Sequence, residues 1–66
     1  MLVTLNGQPT ELAESLTLEA LLRELRLGER RVAVEVNGEI VPRSLAPDTR
    51  LRAGDTVEVV HAIGGG

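Results

Sequence analysis

Thr17-Leu18-Glu19-Ala20-Leu21-Leu22-Arg23-Glu24-Leu25-Arg26-Leu27 is the stretch that decides how this chain folds. Leu18, Leu21, Leu22 and Leu25 fall at i, i+3, i+4 and i+7, one face of a 3.6-residue period. Thr17 offers its hydroxyl as a cap for the first turn. Glu19 suits the positive N-terminal end of a helix and Arg26 the negative C-terminal end. Glu19 and Arg23 form an i,i+4 pair on the wet side. Gly28 stands where a left-handed C′ residue belongs. The pattern predicts one helix over 17–27, with a four-leucine stripe that must be covered by another layer.

The segments on either side supply that layer. Met1 to Leu5 is rich in strand formers and runs into Asn6-Gly7. An Asn-Gly pair suits a two-residue hairpin, because both positions of a type I′ turn need positive φ. The returning segment, Gln8 to Leu12, contains Pro9, which donates no backbone hydrogen bond and therefore marks an edge strand. After the helix, Val32, Val34 and Val36 alternate with Ala33 and Glu35, a half-buried strand. Asn37-Gly38 makes a second tight turn into a short Ile40-Val41 strand stopped by Pro42. Residues 43–55 read as a loop, with Leu45 and Leu51 tucking under to cover the core and a turn at Ala53-Gly54-Asp55. Thr56 to Ala62 is the last strand, with Val57 and Val59 on one face. The order β-β-α-β-β-β makes an α+β domain over 1–63: a mixed sheet with one helix packed across one face and the other face open to solvent.

Composition narrows the function classes. The 66 residues allow one domain, below the ~70–80 at which a core is comfortably sufficient. With no cysteine and one histidine there is neither a disulfide nor a thiolate or multi-histidine metal site. No Phe, Trp or Tyr is present, so packing is aliphatic and no base-stacking platform exists. The formal charge of -3 argues against a nucleic-acid partner. No apolar run approaches the ~20 residues that span a membrane. Met1-Leu2-Val3-Thr4 lacks the basic region of a secretory signal, which predicts a cytoplasmic protein. All seven basic residues are Arg, so the chain has no side-chain amine for conjugation or Schiff-base chemistry.

Gly64-Gly65-Gly66 follows the last strand directly. Glycine has no Cβ, so such a tail is slim and adopts almost any backbone angle. Three residues reach about 10 Å when extended. A rigid domain with such a tip can feed a terminal carboxylate down a narrow channel in another protein. That carboxylate is an anion at neutral pH, its ordinary pKa being about 3.3–3.7, and it resists nucleophiles until activated as a mixed anhydride. Adenylation with ATP does this. An amine acceptor then gives conjugation, and sulfide or a persulfide gives a thiocarboxylate. A frayed chain end is the plain alternative.

Several stretches together resemble one family, the ThiS sulfur carriers of thiamine biosynthesis. They are Met1-Leu2-Val3-Thr4-Leu5-Asn6-Gly7, Leu16-Thr17-Leu18-Glu19-Ala20-Leu21-Leu22, the run from Val32 through Asn37-Gly38-Glu39-Ile40-Val41-Pro42-Arg43, and Gly54-Asp55-Thr56-Val57-Glu58-Val59-Val60 with the terminal glycines. A terminal Gly-Gly alone is less specific, being shared with ubiquitin and the molybdopterin synthase small subunit. Gly64 stands where the family more often has Ala or Ser. The resemblance implies a ubiquitin-like β-grasp and a carrier that is not itself an enzyme. It implies that Gly66 becomes an acyl-adenylate and then a thiocarboxylate, with Gly64 and Gly65 threading the partner's active site. The implied partners are an E1-like adenylating enzyme using ATP and magnesium, a persulfide sulfur donor, and a thiazole synthase that takes the sulfur. The carrier binds no cofactor or metal of its own. A carrier for molybdopterin or for tRNA thiolation, a ubiquitin-like modifier, and a binding domain with an idle tail share the same fold and tail.

Alternation also suggests a docking surface. With Val57 and Val59 inward, Val60 and Ala62 face out; with Met1, Val3 and Leu5 inward, so does Leu2. Adjacent first and last strands would make Leu2, Val60, Ala62 and Ile63 an apolar patch beside the tail. His61, near the tail, reads as a solvated residue with no catalytic role.

Overall fold

The computed structural model describes residues 1–28 and 31–61. Strand β1 (Leu2–Leu5) turns through Asn6-Gly7 into β2 (Gln8–Glu11). Helix α1 spans Leu18–Glu24. Strand β3 (Val32–Val36) turns through Asn37-Gly38 into β4 (Glu39–Ile40). A 3-10 helix (Arg43–Asp48) crosses back, and β5 (Thr56–His61) ends the described chain. The expected domain limit at 63, the glycines 64–66 and the Ala62 end of the last strand lie outside the described residues.

The strands form one sheet in the order β2-β1-β5-β3-β4. The β1–β5 pair is parallel and the others are antiparallel. Both predicted hairpins form, with φ of 49° and 82° at Asn6 and Gly7 and 53° and 86° at Asn37 and Gly38, the positive values that a two-residue turn demands. Strand β2, which carries Pro9, lies at the sheet edge as expected.

The helix begins as the sequence predicts. Thr17 Oγ1 accepts from Ala20 N–H at 3.1 Å, and Leu18 N–H donates to Thr49 O at 2.8 Å, which satisfies two of the free donors of the first turn. It ends earlier than predicted. Leu25 is the C-cap, and Arg26, not Gly28, takes the left-handed position at φ 62°. Leu27 N–H reaches Leu22 O (2.8 Å) and Arg26 N–H reaches Arg23 O (3.0 Å), the two bonds of a Schellman motif. The reversal carries Leu25 out of the stripe, leaving it 37% exposed, and brings Leu27 against the core in its place.

Leu18, Leu21 and Leu22 are buried against Val34, Val57 and Val59 of the sheet, with Leu51 and Ala46 closing the side. The loop expected over residues 43–55 is therefore partly helical. Its 3-10 turn points Ala46 inward and leaves Leu45 exposed, contrary to the expected cover; Leu51 covers the core as expected. Leu51 N–H donates to Leu16 O at 2.9 Å, so this crossing segment is tied alongside the helix entry. Among the described residues no helix is long and apolar enough to cross a membrane.

Candidate functional site

Strand β5 carries the chain toward its glycines, and it occupies the middle of the five-stranded sheet. On one side it pairs with β3 along its whole length, from Val36↔Val57 to Val32↔His61. On the other it pairs with β1 only at Thr4↔Thr56 and Leu5↔Val57. Beyond that point the turn residue Asn6 replaces β1. Its Oδ1 accepts from Val59 N–H at 2.8 Å, across 53 positions of sequence.

The start of β5 is held the same way by the other hairpin turn. Asn37 Oδ1 accepts from Thr56 N–H at 2.9 Å, while Asn37 Nδ2 donates to Asp55 Oδ1 at 3.0 Å. Asp55 Oδ2 in turn accepts from Arg52 N–H at 2.8 Å. Each turn asparagine thus does two things: it tolerates positive φ, and its amide clamps the strand that launches the tail. The first was predicted from the Asn-Gly pairs. The second depends on strand order, which local patterning does not contain.

The site residues expected at the end of the chain, Gly64, Gly65 and Gly66 together with Ala62 and Ile63 of the docking surface, lie outside the described residues. The other two docking residues are exposed as expected, Leu2 at 52% and Val60 at 51%. The structure does not bring them together. Leu2 sits beside Gly54, whose N–H donates to Leu2 O at 2.8 Å. Val60 lies six residues further along β5, about 20 Å away at ~3.3 Å per residue. Both face the open side of the sheet, but at opposite ends, because β1 and β5 run parallel and β1 stops at Leu5.

The neighbours of Val60 are instead Ala33, directly opposite on β3, and then the facing pair Glu35 and Glu58. Ile40 pairs with Glu35 on the far side and is 71% exposed. Like charges directly opposite on a sheet destabilise it, and Glu35 and Glu58 are such a pair. Alternation in Val32–Val36 places Ala33 and Glu35 outward, and the two-residue turn sets Ile40 opposite Glu35. Those are the sequence signals for these residues; the expected contact of Val60 with Leu2 is replaced by one with Ala33.

At the other end of the molecule the Met1 amine donates to Leu12 O at 2.6 Å and lies 2.9 Å from Glu14 and 3.4 Å from Glu11. Its pKa is raised, chiefly by the hydrogen bond to Glu14, against an opposing effect of burial and with further support from Glu11. Among the described residues no group of three or more His, Cys, Asp and Glu is placed to hold a metal.

A family model described as the ThiS family matches residues 3–66. The sulfur carrier protein ThiS of Thermus thermophilus is 43% identical over 65 residues, covering 98% of this chain and 100% of that protein. A protein of Paramagnetospirillum magneticum named thiazole synthase is 46% identical over all 66 residues, and this chain spans only 20% of its length. A crystal structure of the thiamine biosynthesis protein ThiS from Geobacter metallireducens superimposes with a TM-score of 0.87 at 39% identity, covering 100% of both chains.

Proposed function

The chain belongs to the ThiS family and has its ubiquitin-like β-grasp fold, and on that premise we propose that it is a sulfur carrier of thiamine biosynthesis. The carrying observation is that the family match runs from the first strand through the terminal glycines, the part of the chain that does the chemistry. The protein is a carrier and co-substrate, not a catalyst. The Gly66 carboxylate attacks the α-phosphorus of ATP on an E1-like partner, with magnesium neutralising the phosphates, and pyrophosphate leaves. A persulfide displaces AMP from the acyl-adenylate. A thiol then cleaves the S–S bond, leaving a Gly66 thiocarboxylate and a disulfide. A thiazole synthase takes the sulfur.

The fold suits this role. The domain offers no thiol to carry sulfur as a persulfide and no lysine to accept its own acyl group. Clamps at the start and middle of β5, at Thr56 and Val59, fix the strand that leads to the tail, while Gly64 and Gly65 present no side chain to a narrow channel. Pairing with a thiazole synthase is supported by relatives of that name that contain a segment like this chain. Joining donor and acceptor on one polypeptide makes their meeting intramolecular. We place these steps in the cytoplasm, where ATP is available.

Incubation with the adenylating enzyme, ATP and a sulfur donor should exchange one oxygen for sulfur at Gly66, read by intact mass. Removal of Gly65 and Gly66 should abolish the change. An unchanged mass with active partners would refute the reading. Rescue of a gene deletion by the thiazole moiety would assign the pathway, and failure of that rescue would exclude thiamine as its product.

A further inference from the structure

The two hairpin turns are the same residue pair, Asn6-Gly7 and Asn37-Gly38, in nearly the same conformation, with φ of 49° and 82° in one and 53° and 86° in the other. Both asparagines are exposed. A Cβ placed on either glycine would meet nothing within 4 Å, so solvent reaches both backbone amides. Among the described residues neither glycine N–H donates a hydrogen bond. An asparagine followed by glycine carries a latent reaction: the glycine nitrogen, unhindered by a side chain, can attack the asparagine Cγ. The attack requires the asparagine side chain to swing Cγ onto that nitrogen, so hydrogen bonds that hold the side-chain amide oppose it.

That hold differs between the two turns. Asn37 is fixed at both ends of its amide: Oδ1 accepts from Thr56 N–H at 2.9 Å, and Nδ2 donates to the Asp55 carboxylate at 3.0 Å. Asp55 is itself fixed by Arg52 N–H at 2.8 Å, so it does not follow a rotating amide. Asn6 is fixed at one end. Its Oδ1 accepts from Val59 N–H at 2.8 Å, and among the described residues nothing accepts from Nδ2, the group that would leave. Releasing Asn6 breaks one neutral hydrogen bond. Releasing Asn37 breaks two, one of them to a charged acceptor, the stronger class. The burial of Val59 slows release of Asn6 relative to an unfolded chain without adding a second bond.

We propose that Asn6 is a site of spontaneous covalent modification, in which Gly7 N attacks Asn6 Cγ and residue 6 becomes aspartate or isoaspartate, while Asn37 is spared. The Gly7 N–H proton goes to solvent base and an N–Cγ bond forms. The Cγ–Nδ2 bond breaks, its electron pair takes a proton from water, and ammonia leaves a five-membered succinimide. Water then opens the ring. Cleavage of N–Cγ gives aspartate, and cleavage of the original peptide C–N bond gives isoaspartate. Nothing is oxidised or reduced, and water is the sole co-reactant. The two products differ in what they do to β5. Aspartate keeps a side-chain oxygen for Val59 N–H. Isoaspartate routes the main chain through Cβ and Cγ, lengthens the turn by one atom and withdraws that oxygen into the new peptide bond. The reaction needs no partner protein, so it stands apart from the carrier reading.

The test uses the whole 66-residue chain, aged in mildly alkaline buffer and, in parallel, in concentrated urea. Cleavage after arginine puts Asn6 in residues 1–23 and Asn37 in residues 32–43, and fragment masses read the exchange of amino for hydroxyl at each. In the folded chain Asn6 should convert roughly tenfold faster than Asn37, the scale of one additional charge-assisted hydrogen bond. In urea the two should convert at comparable rates, both faster than in the folded chain. Asp55→Ala should bring Asn37 up toward the rate of Asn6 and leave Asn6 unchanged. With the products separated by chromatography, hydrogen exchange should find the Val59 amide protected in the aspartate form and unprotected in the isoaspartate form. Three results would each overturn the proposal: Asn37 converting as fast as Asn6 in the folded native chain, Asn6 staying intact there while it converts in urea, or Asn37 unmoved by Asp55→Ala.

Discussion

Replacing Asn6 by glycine should loosen the root of the tail. The turn itself would survive, since φ at residue 6 is 49° and glycine adopts it freely. What disappears is the acceptor for Val59 N–H, on a strand residue only 8% exposed. Stranding a largely buried donor costs about 1–3 kcal/mol. Added freedom of the unfolded chain costs about 0.4–1 kcal/mol more, and release of the residual left-handed strain returns a few tenths. The net expectation is about 2 kcal/mol. At ~0.05–0.15 kcal/mol per residue the whole domain has about 3–10 kcal/mol, so the midpoint should fall by about 8–16 °C. Thermal unfolding measures that loss, and hydrogen exchange locates it, with the Val59 amide losing protection first. Asn6→Asp keeps an acceptor and should stay within about 1 kcal/mol of the native chain. A glycine variant within about 0.5 kcal/mol of native, or an aspartate variant equally damaged, would refute the clamp.

Leu22→Ala should cost about 2–5 kcal/mol by opening a core cavity, whereas Leu25→Ala should cost under about 1 kcal/mol, because the helix ends before Leu25 can join the stripe; denaturant midpoints decide. Stability should also fall as pH rises from the ordinary α-amine range, about 7.7–8.0, through the raised value of the folded chain. The Met1 amine has a raised pKa in the folded chain, so its contribution is complete below the unfolded value and is lost as pH climbs through the folded one. The sequence has no Cys, Tyr or Lys, the side chains whose ordinary pKa values lie between about 8.5 and 10.4. Glu11→Gln with Glu14→Gln should flatten the urea midpoint against pH, and an unchanged slope would remove the amine from the account.

The features legible in the sequence were those decided within a few residues. Asn-Gly fixes a turn by its φ requirement, Thr17 finds its own helix donor three residues on, and Pro9 excludes a central strand. The end of the helix was misjudged because glycine at 28 looked like the natural stop, while Arg26 takes the left-handed turn at a cost that no local signal announces. Leu45 looked like core by hydropathy, but a three-residue helical repeat turned Ala46 inward instead. Alternation assigned Leu2 and Val60 to the correct face and still failed to place them. A face is a property of one strand, whereas an offset between parallel strands is set by everything that crosses between them.

The position of β5 suits a strand from which the C-terminal residues leave the sheet. A tail drawn into another protein's channel pulls on the strand it leaves. At the sheet edge that strand would have ladder bonds on one side only and would peel. In the middle it is held by β3 along its length and by β1 at its start. The weak point is where β1 ends at Leu5 while β5 continues to His61. Lengthening β1 would cover that edge, but it would also move the Asn6-Gly7 turn past Val59 and remove the asparagine amide from its reach. A short β1 with an asparagine amide reaching across secures Val59 with a single side chain, where a longer β1 would need further ladder bonds.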